Sequence, residues 1–233
     1  MFKAIALDID GTITLKNGLI STKAILLIRR LESRGIRIVL ASGNAFPVLM
    51  GLKKYFGCSG VVIAENGAVV GDDKQLIVNG DPEVGLKAKE AILSKLGDIV
   101  RESWQNRFRY VDFAFKLRKP SLSRSYVLNA MRRAVGDMPY TVVVDSGVAF
   151  HVRDIRVNKG VGLIKAAELM GLTPKDFVAI GDSEVDLEMF EVAGFSVALA
   201  NAVKELKDRA DMVTEKPYWE GFNEAVEKIF NLK

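Results

Sequence analysis

Phe2-Lys3-Ala4-Ile5-Ala6-Leu7-Asp8-Ile9-Asp10-Gly11-Thr12 decides how the rest of this chain is read. Phe2 to Ile9 is a nearly continuous apolar run with no polar alternation, the pattern of a strand covered on both faces, and such strands belong to parallel sheets. The run delivers Asp8, Asp10, Gly11 and Thr12 at its carboxyl end, where open parallel sheets bind ligands.

Working outward, Thr22 to Arg34 carries Ala24, Ile25, Leu27, Ile28 and Leu31 at helical spacing, and Gly35 supplies the stop. Ile36 to Ala41 reads as a second buried strand, followed by Ser42-Gly43-Asn44 and a helical stretch to about Phe56; Val61 to Ala64 is a third strand. This rhythm predicts right-handed crossovers and a parallel sheet. Ala68 to Val78 reads as a hairpin turning at Gly71-Asp72-Asp73.

From Gly80 the style changes. A helix over Pro82 to Leu96 leads to the alternating Arg109-Tyr110-Val111-Asp112-Phe113-Ala114-Phe115, read as a half-exposed strand. A helix over Ser121 to Val135 and a hairpin around Asp145-Ser146-Gly147 complete an α+β unit. The first style returns with a helix over Gly160 to Met170, a buried strand Phe177 to Ile180 ending at Gly181-Asp182, and a helix over Glu184 to Ala193. A strand over Phe195 to Leu199, one near Met212-Val213 and a final helix from Trp219 follow. The expected fold is therefore α/β, a Rossmann-like doubly wound parallel sheet core over residues 1–79 and 154–233, interrupted by an α+β insert over 80–153.

Composition narrows the partners. A net charge of +4 in small clusters such as Arg132-Arg133 lacks the basic stripe with interleaved aromatics that nucleic-acid binding wants, yet suits an anionic substrate. The longest apolar region, Ile36 to Leu52, contains Arg37, Ser42, Asn44 and Pro47, so no membrane span is expected. Met1-Phe2-Lys3 runs into aspartates too soon for a secretory leader, and the lone Cys58 forbids an internal disulfide; both suit a cytoplasmic location. Cys58 reads as a buried, inert thiol. A homodimer is left open.

Asp8 and Asp10, two apart on a strand, would share one face and repel unless a cation stands beside them. With Asp182, and Asp186 a helical turn further on, they make the oxygen-rich set that Mg²⁺ prefers, and Lys159 supplies a point charge for phosphoryl oxygens. Hydrolysis of a phosphate monoester is among the slowest uncatalysed reactions, so positioning and charge neutralisation must supply most of the catalysis. Asp8 would act as nucleophile, and Asp10 would protonate the leaving alkoxide and then deprotonate water.

Asp8-Ile9-Asp10-Gly11-Thr12, Ser42-Gly43-Asn44, Lys159 and Gly181-Asp182-Ser183-Glu184-Val185-Asp186 resemble the four ordered motifs of the haloacid dehalogenase superfamily phosphatases. The insert is similar to the α/β cap that closes over the site in one branch of that superfamily, and Asp145-Ser146-Gly147 with Asn158-Lys159-Gly160 resembles archaeal phosphoglycolate phosphatases. The resemblance implies Asp8 as nucleophile and metal ligand, and Asp10 as acid/base giving the metal its backbone carbonyl. It implies that Ser42 binds phosphate through hydroxyl and backbone N–H, with Thr12 and Gly43 beside it. Lys159 would hold nucleophile and phosphate, Asp182 would bind the metal, and Asp186 would bind it or orient its waters. Asn44 departs from the family, where arginine is frequent at that place.

Each motif alone has a plainer reading. Asp-Gly is a common turn, Asp182 and Asp186 also read as an N-cap and a first-turn acid, and Lys159 as a solvated lysine. His151 reads as a hydrogen-bonded residue of the insert rather than a substrate contact. With one histidine and no Gly-x-Ser-x-Gly, a Ser–His triad is disfavoured; no Gly-Lys dipeptide occurs, which excludes a Walker A loop. The expected activity is Mg²⁺-dependent hydrolysis of a small phosphate monoester, with phosphoglycolate favoured. The alternatives are a sugar-phosphate phosphatase of mannosyl-phosphoglycerate or sucrose-phosphate type, a phosphomutase, and a non-catalytic phosphoacceptor or phosphosugar-binding protein.

Overall fold

A computed structural model describes residues 2–118 and 120–232, so the expected segment ends at Met1 and Lys233 lie outside the described residues. Strands β1 (Ala4–Leu7), β2 (Arg37–Ala41) and β3 (Val62–Ala64) alternate with helices α1 (Thr22–Ser33) and α2 (Phe46–Phe56). The hairpin β4 (Val69–Gly71) and β5 (Leu76–Val78) then adds to β3 in antiparallel sense. After an excursion, α5 (Lys159–Leu169), β10 (Phe177–Gly181), α6 (Leu187–Val192), β11 (Phe195–Ala198), α7 (Lys204–Arg209), β12 (Met212–Val213) and α8 (Tyr218–Phe230) complete the core. The excursion itself holds α3 (Pro82–Leu96), β6 (Val100–Glu102), β7 (Phe113–Leu117), α4 (Arg124–Val135), β8 (Thr141–Asp145) and β9 (Phe150–Asp154).

The main sheet runs β12-β11-β10-β1-β2-β3-β4-β5, with every pairing parallel up to β3. Alternate residues of β1 explain why both faces are covered. Ile5 and Leu7 pack with Leu27, Ile28 and Leu31 of α1 and with Phe222 and Val226 of α8. Ala4 and Ala6, on the other face, meet Leu163, Ala166 and Ala167 of α5. The chain leaves β1 toward β2 on one side and returns through β10 on the other. The strand order therefore reverses between β1 and β10, and their carboxyl ends open onto a crevice at a topological switch point. Cys58 is buried, and that burial, with Glu32 nearby, pushes its thiol up to about 12.

The second sheet, β6-β7-β9-β8, is wholly antiparallel. Phe113, Phe115, Phe150 and Val152 turn to one face and pack on Ala88 and Ile92 of α3 and Val127 and Met131 of α4. The alternation was legible, but its polar face does not look into solvent: Ala114 and His151, paired across β7 and β9, are both buried and line the crevice of the main sheet. The expected strand from Arg109 starts only at Phe113. The carboxylate of Glu65 accepts the backbone N–H groups of Tyr110, Val111 and Asp112, which holds that stretch as a loop instead of a ladder. Three smaller differences follow from local chemistry. Strand β6 is too short to show a period, the helix expected from Ser121 starts after its N-cap Ser123, and Glu184–Asp186 is a 3-10 turn before α6.

Candidate active site

Strand β1 stops at Leu7, so Asp8 and Asp10 sit on the loop beyond it and do not share a strand face as a strict pleat would require. Asp8 is only 5% exposed, and its Oδ1 lies 2.6 Å from Lys159 Nζ. The same Nζ lies 2.6 Å from Asp186 Oδ1, so one lysine, 1% exposed, bridges two carboxylates from separate segments. Lys159 is the first residue of α5, whose N-cap Asn158 accepts from Val161 N–H; the cap fixes where the helix begins and hence where the ammonium points.

Asp186 Oδ2 accepts the backbone N–H of Asp182 and of Ser183 and the Ser183 hydroxyl. It thereby folds the loop after β10 so that Asp182 faces Asp8. Thr12 stands between them, its hydroxyl 3.0 Å from Asp8 Oδ2 and 3.4 Å from Asp182 Oδ1. The Thr12 hydroxyl, expected beside the phosphate, is thus turned onto the carboxylates, and Thr12 is fully buried. Asn201, which sequence reading passed over, donates to Asp182 Oδ2 and to the Gly11 carbonyl. No local pattern marks an asparagine in a loop beyond β11 as part of this site.

Oxygens of Asp8, Asp182 and Asp186 all lie within 4.8 Å of one another. Burial pushes Asp8 up to about 7, against the opposing pull of Lys159 and with the repulsion of Asp186 added. Burial, then the charges of Asp8 and Asp186, push Asp182 up to about 8. Burial works against the Lys159 charge, but Asp186 and Asp8 outweigh it and hold its pKa above the ordinary lysine range. Three carboxylates forced together against one ammonium leave an excess of negative charge, which a small hard cation with oxygen ligands relieves. The donor set therefore fits a divalent metal ion.

Asp10 stands apart from that trio. Its Oδ2 accepts from Asn44 Nδ2 at 3.3 Å, and the same amide donates to Ser42 Oγ at 2.9 Å. Asn44 Oδ1 in turn accepts from Gln105 of the second unit at 2.8 Å. The residue that departs from the family pattern thus ties Asp10, Ser42 and the insert together. Ser42 is buried, with a hydroxyl at the cavity, but its backbone N–H donates to Ile63 O within the sheet and is not free for phosphate as expected. The Gly43 carbonyl is held by Arg109 Nη2 at 2.6 Å. A Cβ at Gly43 would lie 3.0 Å from His151 Cε1, so glycine lets the second sheet come down on this loop.

His151 Nδ1 lies 2.8 Å from Asp112 Oδ1, and Asp112 Oδ2 accepts from Asn66 Nδ2 at 2.6 Å. Burial would raise the Asp112 pKa, yet His151 and the nearby arginines hold it below the ordinary carboxylate range. His151 is thus hydrogen-bonded, as read, and also lines the cavity. Glu65 and Asn66 both take left-handed backbone angles, φ +52° and +54°, to reach the insert. Between the two units lies a cavity of about 80 Å³. Asp8, Asp10, Ser42 and Lys159 line its core side; Gln105, Arg109, Lys116 and His151 line the other. No helix among the described residues is long and apolar enough to cross a membrane.

The arrangement is that of a phosphoryl-transfer enzyme of the doubly wound α/β class. The chain belongs to the haloacid dehalogenase-like hydrolases, whose family model matches residues 5–94 and 117–226. It is 40% identical over 227 residues to a phosphoglycolate phosphatase of Methanosarcina acetivorans, covering 97% of this chain and 96% of that one. It is 37% identical to the phosphoglycolate phosphatase of Staphylothermus marinus, covering 99% of each. A crystal structure of Thermoplasma acidophilum 0175 superposes with a TM-score of 0.85 at 30% identity, over 100% of both chains. With such relatives along its length, the chain is a phosphatase.

Proposed function

We propose that the protein hydrolyses a small phosphate monoester, 2-phosphoglycolate above others, in a Mg²⁺-dependent reaction through an aspartyl-phosphate, an acyl phosphate, on Asp8. The observation that carries this is the buried Lys159 ammonium, 2.6 Å from both Asp8 and Asp186, at the strand ends where Asp182 converges. A divalent cation held by Asp8, Asp182 and Asp186 would offset the charge of the carboxylates and of the phosphate.

Asp8, aligned by Lys159 and Thr12, attacks phosphorus, and the ester P–O bond breaks as the new one forms. Asp10, held in place by the Asn44 amide, gives its proton to the departing alkoxide. Asp10 then takes a proton from the water that attacks the phosphoaspartate, which restores Asp8 and releases inorganic phosphate. The Ser42 hydroxyl and the Lys159 ammonium stabilise the oxygens of the transferring group.

Three facts favour the small acid phosphate. The relatives reported above carry the name phosphoglycolate phosphatase, the cavity is far below the ~300 Å³ and more of drug-sized sites, and the insert shuts it with Gln105 and Arg109. A sugar phosphate would need the second sheet to stand off.

The test is phosphate release from a panel of phosphoesters with Mg²⁺ or EDTA. Turnover is expected only with the metal, with phosphoglycolate giving the highest kcat/KM and Asp8→Asn losing roughly 10³-fold or more. Wild-type turnover by Asp8→Asn overturns the covalent step, and a higher kcat/KM for bulky sugar phosphates overturns the choice of substrate.

A further inference from the structure

The two halves of the cavity differ in charge. The core side contributes the carboxylates of Asp8 and Asp10 with Lys159, but the insert contributes no carboxylate to the wall. Its charged groups there are Arg109 and Lys116, beside His151, whose Nδ1 is engaged by Asp112. Among the described residues neither Arg109 nor Lys116 forms an ion pair. Arg109 is held by the carbonyls of Gly43 and Asp112, and its buried Nε has no partner. Lys116 is exposed, and among the described residues its ammonium has no hydrogen-bond partner. Lys116 lies two residues beyond Ala114 on β7, so both project from the same face of the sheet, and the small alanine leaves room beside the ammonium.

A phosphate end seated against Lys159 and the Asp8 trio points the rest of the ester at these two cations. Arg109 is half-buried with Asp112 and Glu65 as its nearest charges, and Lys116 is exposed; a neutral alcohol would pair with neither cation, whereas a carboxylate would pair with both. The small cavity places that carboxylate within one or two carbons of the ester oxygen.

We propose that Arg109 and Lys116 form a carboxylate-binding subsite that selects phosphoesters of short hydroxy acids, with Lys116 as the residue that sets the selectivity. The proposal rests on the phosphatase reading and deepens it. Arg109 also ties the insert to Gly43 and so serves closure; Lys116 is free of such duties and gives the cleaner test.

The experiment compares kcat/KM for 2-phosphoglycolate with that for ethyl phosphate, the same ester without its carboxylate, in the intact protein with Mg²⁺. The wild type is expected to favour phosphoglycolate. Lys116→Met, which keeps the apolar stem, should lower the ratio of the two values by about 10- to 100-fold, chiefly through KM for phosphoglycolate. Lys116→Arg should restore most of the ratio. An equal loss on both esters means that Lys116 serves the phosphate, and it overturns the subsite, as does wild-type turnover of both esters without preference. No wild-type turnover of either ester, with turnover of other phosphoesters in the panel, overturns the proposed phosphoglycolate substrate, and the subsite with it.

Discussion

At position 11 a methyl group would stand 2.1 Å from Asp182 Oδ2, and φ of +88° lies where side chains are strained. The Asp10-Gly11 step is thus more than a turn. It lets the backbone pass beside the Asp182 carboxylate while Asn201 holds both the Gly11 carbonyl and Asp182 from behind. Gly11→Ala is expected to push Asp182 out of line with Asp8 and to raise the Mg²⁺ concentration for half-maximal activity by about tenfold or more. A metal titration of activity checks this, and an unshifted midpoint would contradict the proposed metal site. Thr12 belongs to the same group, because its hydroxyl is shared between the two carboxylates.

At the level of elements, the second unit is fastened to the core by carboxylate-to-backbone contacts. Glu65, fully buried, gathers three consecutive N–H groups of the 110–112 loop, and burial raises its pKa while those N–H groups lower it. Replacing one carboxylate oxygen by an NH₂ group sets donor against donor. Glu65→Gln is expected to cost about 1–3 kcal/mol and to speed amide exchange at residues 110–112 more than in β1 or β10. Hydrogen exchange by residue would show it; unchanged protection in that loop would mean that Glu65 does not hold the insert. The strand signal at Arg109–Phe115 misled here because the alternation is real while the partner of its first half is a side chain 45 residues earlier, not a strand.

For the whole molecule, the raised pKa values of Asp8, to about 7, and of Asp182, to about 8, set a pH dependence. In the unfolded chain these groups ionise near about 3.9. The metal-free folded state therefore holds more protons than the unfolded state from about pH 4 to 8, and its stability falls as pH rises through that window. A Mg²⁺ ion bound at the proposed site would replace those protons, so it should raise Tm by several degrees at pH 8.5 and much less at pH 5.5. Thermal unfolding with EDTA or excess Mg²⁺ at the two pH values is the measurement. An equal metal effect at both would show that the carboxylates are already ionised without the cation.

What could be read without coordinates was whatever is periodic or local along the chain. The apolar run into Asp8, the repeated strand–helix spacing and the change of style at Gly80 point to a doubly wound core with an insert, because burial on two faces imposes continuous hydrophobicity and burial on one imposes alternation. Asp8, Asp182, Asp186 and Lys159 were legible because each falls at an element end. Only the tertiary structure decided that Lys159 stands between Asp8 and Asp186, that Thr12 faces carboxylates, and that Asn44, Glu65 and Arg109 hold the insert on the core. Except for Thr12 on Asp8, four positions apart, those contacts join residues tens to more than a hundred positions apart, and their geometry follows from how the core elements and the second sheet pack, which no local pattern encodes.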